Sequence, residues 1–202
     1  MLHSLKGAVS RFADPPARAL ARASISPTTI TLAGLVFVAA SCVFLLQTYN
    51  LLLFCALITA SCLVDVLDGA VARLSGRVTK FGAYIDAMCD RAAEAMAVLS
   101  VAYVTGYWEL SSVMLVGAML VSYAKARAAI EAPVSNTEWP DLMERGERDV
   151  IWVAGLAASR LLRWRPLGHD LFWWTLVVMT VLIYLTVVQR VLRAKRLIET
   201  RG

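Results

Sequence analysis

Residues 51–90 read LLLFCALITASCLVDVLDGAVARLSGRVTKFGAYIDAMCD, which is the pattern of two apolar helices joined by a short turn. In the first helix Asp65, Asp68, Gly69, Ala72 and Arg73 fall at i, i+3, i+4, i+7 and i+8, so one stripe carries all of them. After eight residues come Gly82, Asp86 and Asp90, the two acids again four apart on one face. Helices joined by so short a turn run antiparallel, which lets the two acidic stripes face each other. An aspartate at the centre of a membrane helix costs about 2.5 to 3.5 kcal/mol on insertion scales, so four cost about 10 to 14 kcal/mol, less near the interface. Arg73 alone does not offset four carboxylates, whereas divalent metal does. An all-oxygen donor set favours Mg²⁺ or Mn²⁺ over zinc. Asp65, Asp68, Asp86 and Asp90 are therefore the candidate metal ligands. Their number suits two ions about 3.5 to 4 Å apart, the arrangement that clamps attacking and leaving oxygens in phosphorus chemistry.

Two rival readings use the same residues. The aspartates can be buried salt-bridge partners of Arg73, Arg77 and Arg91, although intramembrane carboxylates usually mark function. A cation or proton transporter also needs intramembrane carboxylates, but such proteins place them between inverted repeats with broken helices, and neither repeat nor central break is visible.

The surroundings are those of a membrane protein. Of 202 residues, 59% are hydrophobic, against about 45 to 50% for an ordinary soluble domain. Six stretches, 28–48, 51–74, 82–104, 108–131, 148–162 and 169–192, read as helices, so the expected fold is all-α with six transmembrane helices. The whole chain, 1–202, is expected to form one membrane domain, with the bundle over 28–192. Ser26-Pro27-Thr28 supplies the first start signal, a capping hydroxyl before a proline suited to the first turn. Small residues such as Ala83, Ala87, Gly117 and Ala118 permit close helix contacts. Cys42, Cys55, Cys62 and Cys89 all sit in apolar stretches and read as reduced packing residues.

Residues 1–25 have no continuous apolar core and do not read as a signal peptide. Leu5, Val9, Phe12 and Leu20 among basic residues suit an amphipathic helix in the membrane interface; a frayed basic tail is the alternative. With the N-terminus in the cytoplasm, Arg77, Lys80, the 132–147 loop and the tail Arg193, Lys195, Arg196 and Arg201 share that side. Only the turn from Arg163 to Asp170 then breaks the positive-inside preference. The expected location is a cell membrane, with several spans and the active site facing the cytoplasm.

The pattern Asp65-x2-Asp68-Gly69-x2-Ala72-Arg73-x8-Gly82-x3-Asp86-x3-Asp90 is similar, at every fixed position, to the signature of the CDP-alcohol phosphotransferases. That resemblance implies an enzyme of phospholipid synthesis in which an alcohol hydroxyl attacks a CDP-linked lipid and CMP is released. It implies metal at Asp65, Asp68 and Asp86, and at Asp90 both a ligand to the second ion and the catalytic base. Gly69 and Ala72 then leave room for the nucleotide, and Arg73 meets the donor. Ser26 to Thr31 resembles the family's nucleotide-contacting segment, which nominates Thr28 and Thr31, and Thr79 stands at a corresponding place in the connecting loop. Relatives often carry Asn or Asp where Thr28 stands, and helix capping also accounts for Thr28 to Thr31. Family members are homodimers, so a homodimer is expected; a nucleic-acid partner is not.

A second group of charges concerns the acceptor. Lys125 and Arg127 end the fourth stretch, Arg145 and Arg148 open the fifth, and Arg190 ends the sixth, a set suited to a phosphorylated alcohol. Snorkelling and positive-inside bias account for many such residues as well. Residues 122–128, 144–148 and 189–190 resemble the subgroup that makes phosphatidylinositol phosphate, or its archaeal ether-lipid counterpart, from inositol 1-phosphate. There Lys125, Arg145, Arg148 and Arg190 would face the acceptor phosphate, the donor being CDP-diacylglycerol or CDP-archaeol. Gly146 stands where that subgroup commonly has proline. Glycerol 3-phosphate, or another alcohol, is the alternative acceptor.

Overall fold

The computed structural model describes residues 15–20, 22–23, 26–76, 78–131, 142–143, 145–162 and 164–201, and every regular element among them is helical. In chain order these are α1 Pro27–Thr48, α2 Leu51–Ser75, α3 Lys80–Thr105, α4 Trp108–Glu131, α5 Arg145–Leu161, a 3-10 turn at Pro166–Gly168, and α6 Leu171–Arg201. A helical stretch over 15–20 precedes them. Four helices, α1, α2, α4 and α6, are long and apolar enough to cross a membrane. The protein is thus an all-helical membrane protein, and of the six expected spans these four stand on length and composition alone. α3 carries Lys80, Asp86, Asp90, Arg91 and Glu94, while α5 has 17 residues, short of the roughly 20 a bilayer core asks.

The chain divides into two compact units, Met1–Val101 and Ala102–Gly202. In the first, α1 packs on α2. Ser26 stands extended before Pro27 (φ −69°, ψ 135°), but its hydroxyl makes no capping bond; its carbonyl accepts from the Thr29 and Ile30 amides instead. The expected hydroxyl cap is therefore corrected: proline's fixed φ starts the helix. Asn50 caps α2 by accepting from the Leu53 amide at 3.1 Å. Gly76 ends it in the left-handed region (φ 64°), its amide donating to the Ala72 and Arg73 carbonyls. Ala17 is buried with Ile30, Ala70 and Val71, so residues 15–20 lie against the ends of α1 and α2. Apart from residues 22 and 23, the rest of the expected interfacial helix lies outside the described residues, as do Arg77, most of the 132–147 loop and Arg163.

In the second unit α6 packs on both α4 and α5. Gly117 is what lets α4 approach: a Cβ there would stand 2.8 Å from Ile183 Cγ2 and 2.9 Å from the Tyr184 ring. Gly155 on α5 likewise leaves no room for a Cβ against Thr175. Met114, Val121, Leu176, Met179 and Ile183 fill the seam, and the Tyr184 hydroxyl donates to the Val113 carbonyl at 3.2 Å. Valines such as Val36, Val116 and Val181 are exposed on the outer faces, as suits helices whose solvent is lipid. All four cysteines are free thiols, three of them buried.

Candidate active site

Asp68 of α2 and Asp86 of α3 line one cleft near the start of α1. Asp68 is buried at 7% exposure, and its Oδ2 accepts a hydrogen bond from the Thr31 hydroxyl at 2.7 Å. Thr31 also reaches the Pro27 carbonyl at 3.2 Å, one turn back on its own helix. Its role thus goes beyond helix capping, because the bond to Asp68 ties α1 to α2 at the carboxylate. A cleft of about 140 Å³ opens here, lined from α1 by Thr28 and Thr31, from α2 by Asp68, Gly69 and Ala72, and from the start of α3 by Thr79, Gly82 and Asp86. Pro27, Val78 and Ala83 complete it.

Thr79 does a second job that sequence reasoning missed. Its hydroxyl oxygen accepts from the Gly82 amide at 2.9 Å and so caps α3. A Cβ on Gly82 would stand 2.9 Å from that same oxygen, so the glycine is required by the cap beneath it. A hydroxyl that accepts keeps its hydrogen, and Thr79 can still donate into the cleft. At Gly34 a Cβ would stand at ordinary contact distance from α2, 3.5 Å from Val64 Cγ1 and 3.8 Å from Asp65 Oδ1. Thr31, Gly34, Ser41 and Cys42 are small or polar residues on the buried side of an apolar α1.

Asp65 and Asp90 are half-buried and Asp86 is exposed on the cleft wall. The fields of Asp65 and Asp86 both reach Asp68, and those of all four aspartates reach Cys89. Among the described residues, however, no three His, Cys, Asp or Glu side chains close around one point as a filled metal centre requires. Thr31 holds one oxygen of Asp68 on α1. The donor chemistry nevertheless fits a hard cation: oxygen ligands from two helices, with Asp68 and Asp86 on one cleft. Arg73 is exposed, with Nη1 3.5 Å from the Cβ position of Gly69, folded back over the bare stretch of helix beside the cleft. Arg91 pairs with Glu94 at 3.1 Å along its own helix.

The four acceptor candidates lie in the second unit. Arg148 is buried and donates from Nη1 to the Met143 carbonyl at 3.2 Å. Arg190 is buried on α6 and donates to the Val121 carbonyl of α4, one turn before half-buried Lys125. Arg145 faces Asp149 at 3.6 Å. Arg127 is exposed and ion-paired to Glu131 on its own helix.

Comparison with known proteins identifies the family. The family model described as CDP-alcohol phosphatidyltransferase matches residues 24–182. The archaetidylinositol phosphate synthase of Pyrococcus horikoshii is 31% identical over 202 residues, covering 98% of this chain and 99% of that one. A crystal structure of Mycobacterium tuberculosis phosphatidylinositol phosphate synthase with CDP-DAG bound has a TM-score of 0.79 at 28% identity, covering 91% of this chain and 94% of the other. A structure of that enzyme in complex with manganese and citrate also gives 0.79, at 27% identity and coverage of 90% and 88%. With Asp68, Gly69, Ala72, Gly82 and Asp86 of the signature lining one cleft and the family match running through the whole signature, the chain belongs to the CDP-alcohol phosphatidyltransferase family and is an enzyme of phospholipid synthesis.

Proposed function

We propose that the chain transfers the lipid-phosphate group of CDP-diacylglycerol or CDP-archaeol to a hydroxyl of inositol 1-phosphate and releases CMP. The observation that carries this reading is the cleft in which Asp68 and Asp86 meet Thr28, Thr31, Gly69 and Thr79, all from the segments that the resemblance nominates. The names of the Pyrococcus and Mycobacterium relatives support inositol phosphate as acceptor, and the bound CDP-DAG of one structure supports the donor class.

Asp90 takes the proton of the attacking hydroxyl as its oxygen bonds to the phosphorus that bears the lipid. The bond from that phosphorus to the bridging oxygen of the diphosphate breaks, and CMP departs with that oxygen. Asp65, Asp68 and Asp86 would hold a divalent cation, Mg²⁺ or Mn²⁺, and Asp90 would ligate a second; when bound, such ions would supply positive charge against the diphosphate. Thr31 fixes the rotamer of Asp68 and is a positioning residue. Gly69, Ala72 and Gly82 leave the nucleotide room and Thr28 and Thr79 offer hydroxyls, while Arg73 meets the donor phosphates or the cytidine. Lys125, Arg145, Arg148 and Arg190 bind the acceptor phosphate. Guanidinium forks suit its oxygens, and the charge balance favours a phosphorylated over a neutral alcohol.

In this reading α3 and α5 join the four apolar helices as six spans of one domain, residues 1–25 include an interfacial helix, and the cleft faces the cytoplasm of a cell membrane. The protein acts as a homodimer and binds no nucleic acid. The test is to incubate purified protein with CDP-diacylglycerol, Mg²⁺ and a panel of alcohols and alcohol phosphates, and to measure CMP. Release with inositol 1-phosphate is expected; release with glycerol 3-phosphate alone would reassign the acceptor, and none with any member would reject the reading.

A further inference from the structure

Between the end of α5 and the start of α6, Ser159, Arg160, Leu162, Trp164, Arg165 and Asp170 line a hollow of about 300 Å³, at the lower end of the range for ligand pockets. It lies at the end of α5 and α6 away from Arg148 and Arg190, so the proposed acceptor chemistry does not use it. Its side chains are set in place by the fold. Arg160 is anchored by Nη2 on Asp170 Oδ2 at 2.9 Å and by Nε on the Ser159 hydroxyl at 3.2 Å. Asp170 uses both oxygens: Oδ1 accepts the Trp173 amide at 2.9 Å and caps α6, and Oδ2 takes Arg160. Arg165 is exposed and forms no ion pair among the described residues. Two guanidinium groups against one committed carboxylate leave the hollow cationic.

The rim is built for a membrane surface. Trp164 is 65% exposed and Leu167 84%, while His169 stacks on Trp173 at 4.1 Å between ring centroids. Trp174 Nε1 donates to the Pro166 carbonyl at 3.0 Å and pins the turn. Tryptophan and tyrosine at a span's end mark the headgroup level, and arginine forks match phosphate oxygens better than any other side chain does. The same turn is the one place where the positive-inside preference fails, so general topology does not account for its charge.

We propose that this hollow binds a phosphate-bearing anion at the membrane interface, either the headgroup phosphate of an anionic lipid or free phosphate, with Arg165 and Arg160 as its ligands. Full-length protein in neutral detergent is melted with phosphatidylglycerol, phosphatidylcholine or inorganic phosphate added separately. The wild type is expected to gain more in Tm from phosphatidylglycerol than from phosphatidylcholine. Arg165→Gln should lose most of that difference, whereas Lys195→Gln, a change of one exposed charge at the far end of α6, should keep it. A gain from inorganic phosphate that depends on Arg165 would assign the free anion; a gain from phosphatidylglycerol alone would assign the lipid. Equal effects of the two lipids with no response to phosphate, or a response that Arg165→Gln leaves whole, would overturn the proposal. CMP release by Arg165→Gln should equal that of the wild type, which checks its fold. A second measurement needs no variant: native mass spectrometry of wild type in an equal lipid mixture should show more phosphatidylglycerol than phosphatidylcholine adducts, and equal adducts together with no response of Tm to inorganic phosphate would also overturn it.

Discussion

Replacing Thr31 by valine keeps the side chain's shape and removes its hydroxyl, and with it the 2.7 Å contact to Asp68 Oδ2 and the longer 3.2 Å contact to the Pro27 carbonyl of its own helix. Asp68 is only 7% exposed, so water does not easily supply a substitute donor. A hydrogen bond to a charged group is worth about 1.5 to 3 kcal/mol. If the cleft uses that bond to aim the carboxylate, the loss reaches the transition state as about a 10- to 150-fold fall in kcat/KM, since about 1.4 kcal/mol is tenfold. The assay is CMP release under varied donor and Mg²⁺. Thr31→Ser restores the hydroxyl and should recover most of the activity, which separates the bond from the packing around it. The reasoning is refuted if Thr31→Val turns over within twofold of wild type, or if serine is as damaging as valine.

Asp90→Asn removes the proposed base and should lower kcat by about 10² to 10⁴ with donor binding retained, measured by single-turnover CMP release and by CDP-lipid affinity. Gly82→Ala forces a Cβ to 2.9 Å from the Thr79 hydroxyl that caps α3; the expected loss is about 0.5 to 2 kcal/mol in stability, read by thermal unfolding, with a raised donor KM. Arg148→Gln or Arg190→Gln should raise the KM for inositol 1-phosphate strongly while leaving the donor KM near wild type. Unchanged acceptor kinetics would reject that pocket.

The helices were largely legible because their boundaries are written in chemistry that hydropathy follows. Asn50 caps α2, Gly76 ends it and Gly106 (φ 78°) ends α3, so the expected limits at 51, 74 and 104 fall within a residue of those found. α6 was expected to stop at 192 but runs on to Arg201, because hydropathy ends with the apolar run while the helix continues through pairs such as Lys195–Glu199 at 3.8 Å. Spacing alone also put Asp68 and Asp86 on facing stripes, and both line the cleft. What spacing lacks is rotamer and depth. That Thr31 spends its hydroxyl on Asp68, or that Thr79 spends a lone pair on Gly82, depends on which helix lies against which. The idle Ser26 hydroxyl shows the converse, a residue type suited to capping whose neighbour Pro27 makes the cap unnecessary.

The claim beneath the whole account is that carboxylates from α2 and α3 hold divalent cations at this cleft. Electron paramagnetic resonance of Mn²⁺ added to purified protein reads that directly, with no need for turnover. Saturable binding approaching two ions per chain is predicted, much reduced in Asp68→Asn and Asp86→Asn. Equal Mn²⁺ binding by the wild type and by a variant with all four aspartates changed to asparagine would contradict it.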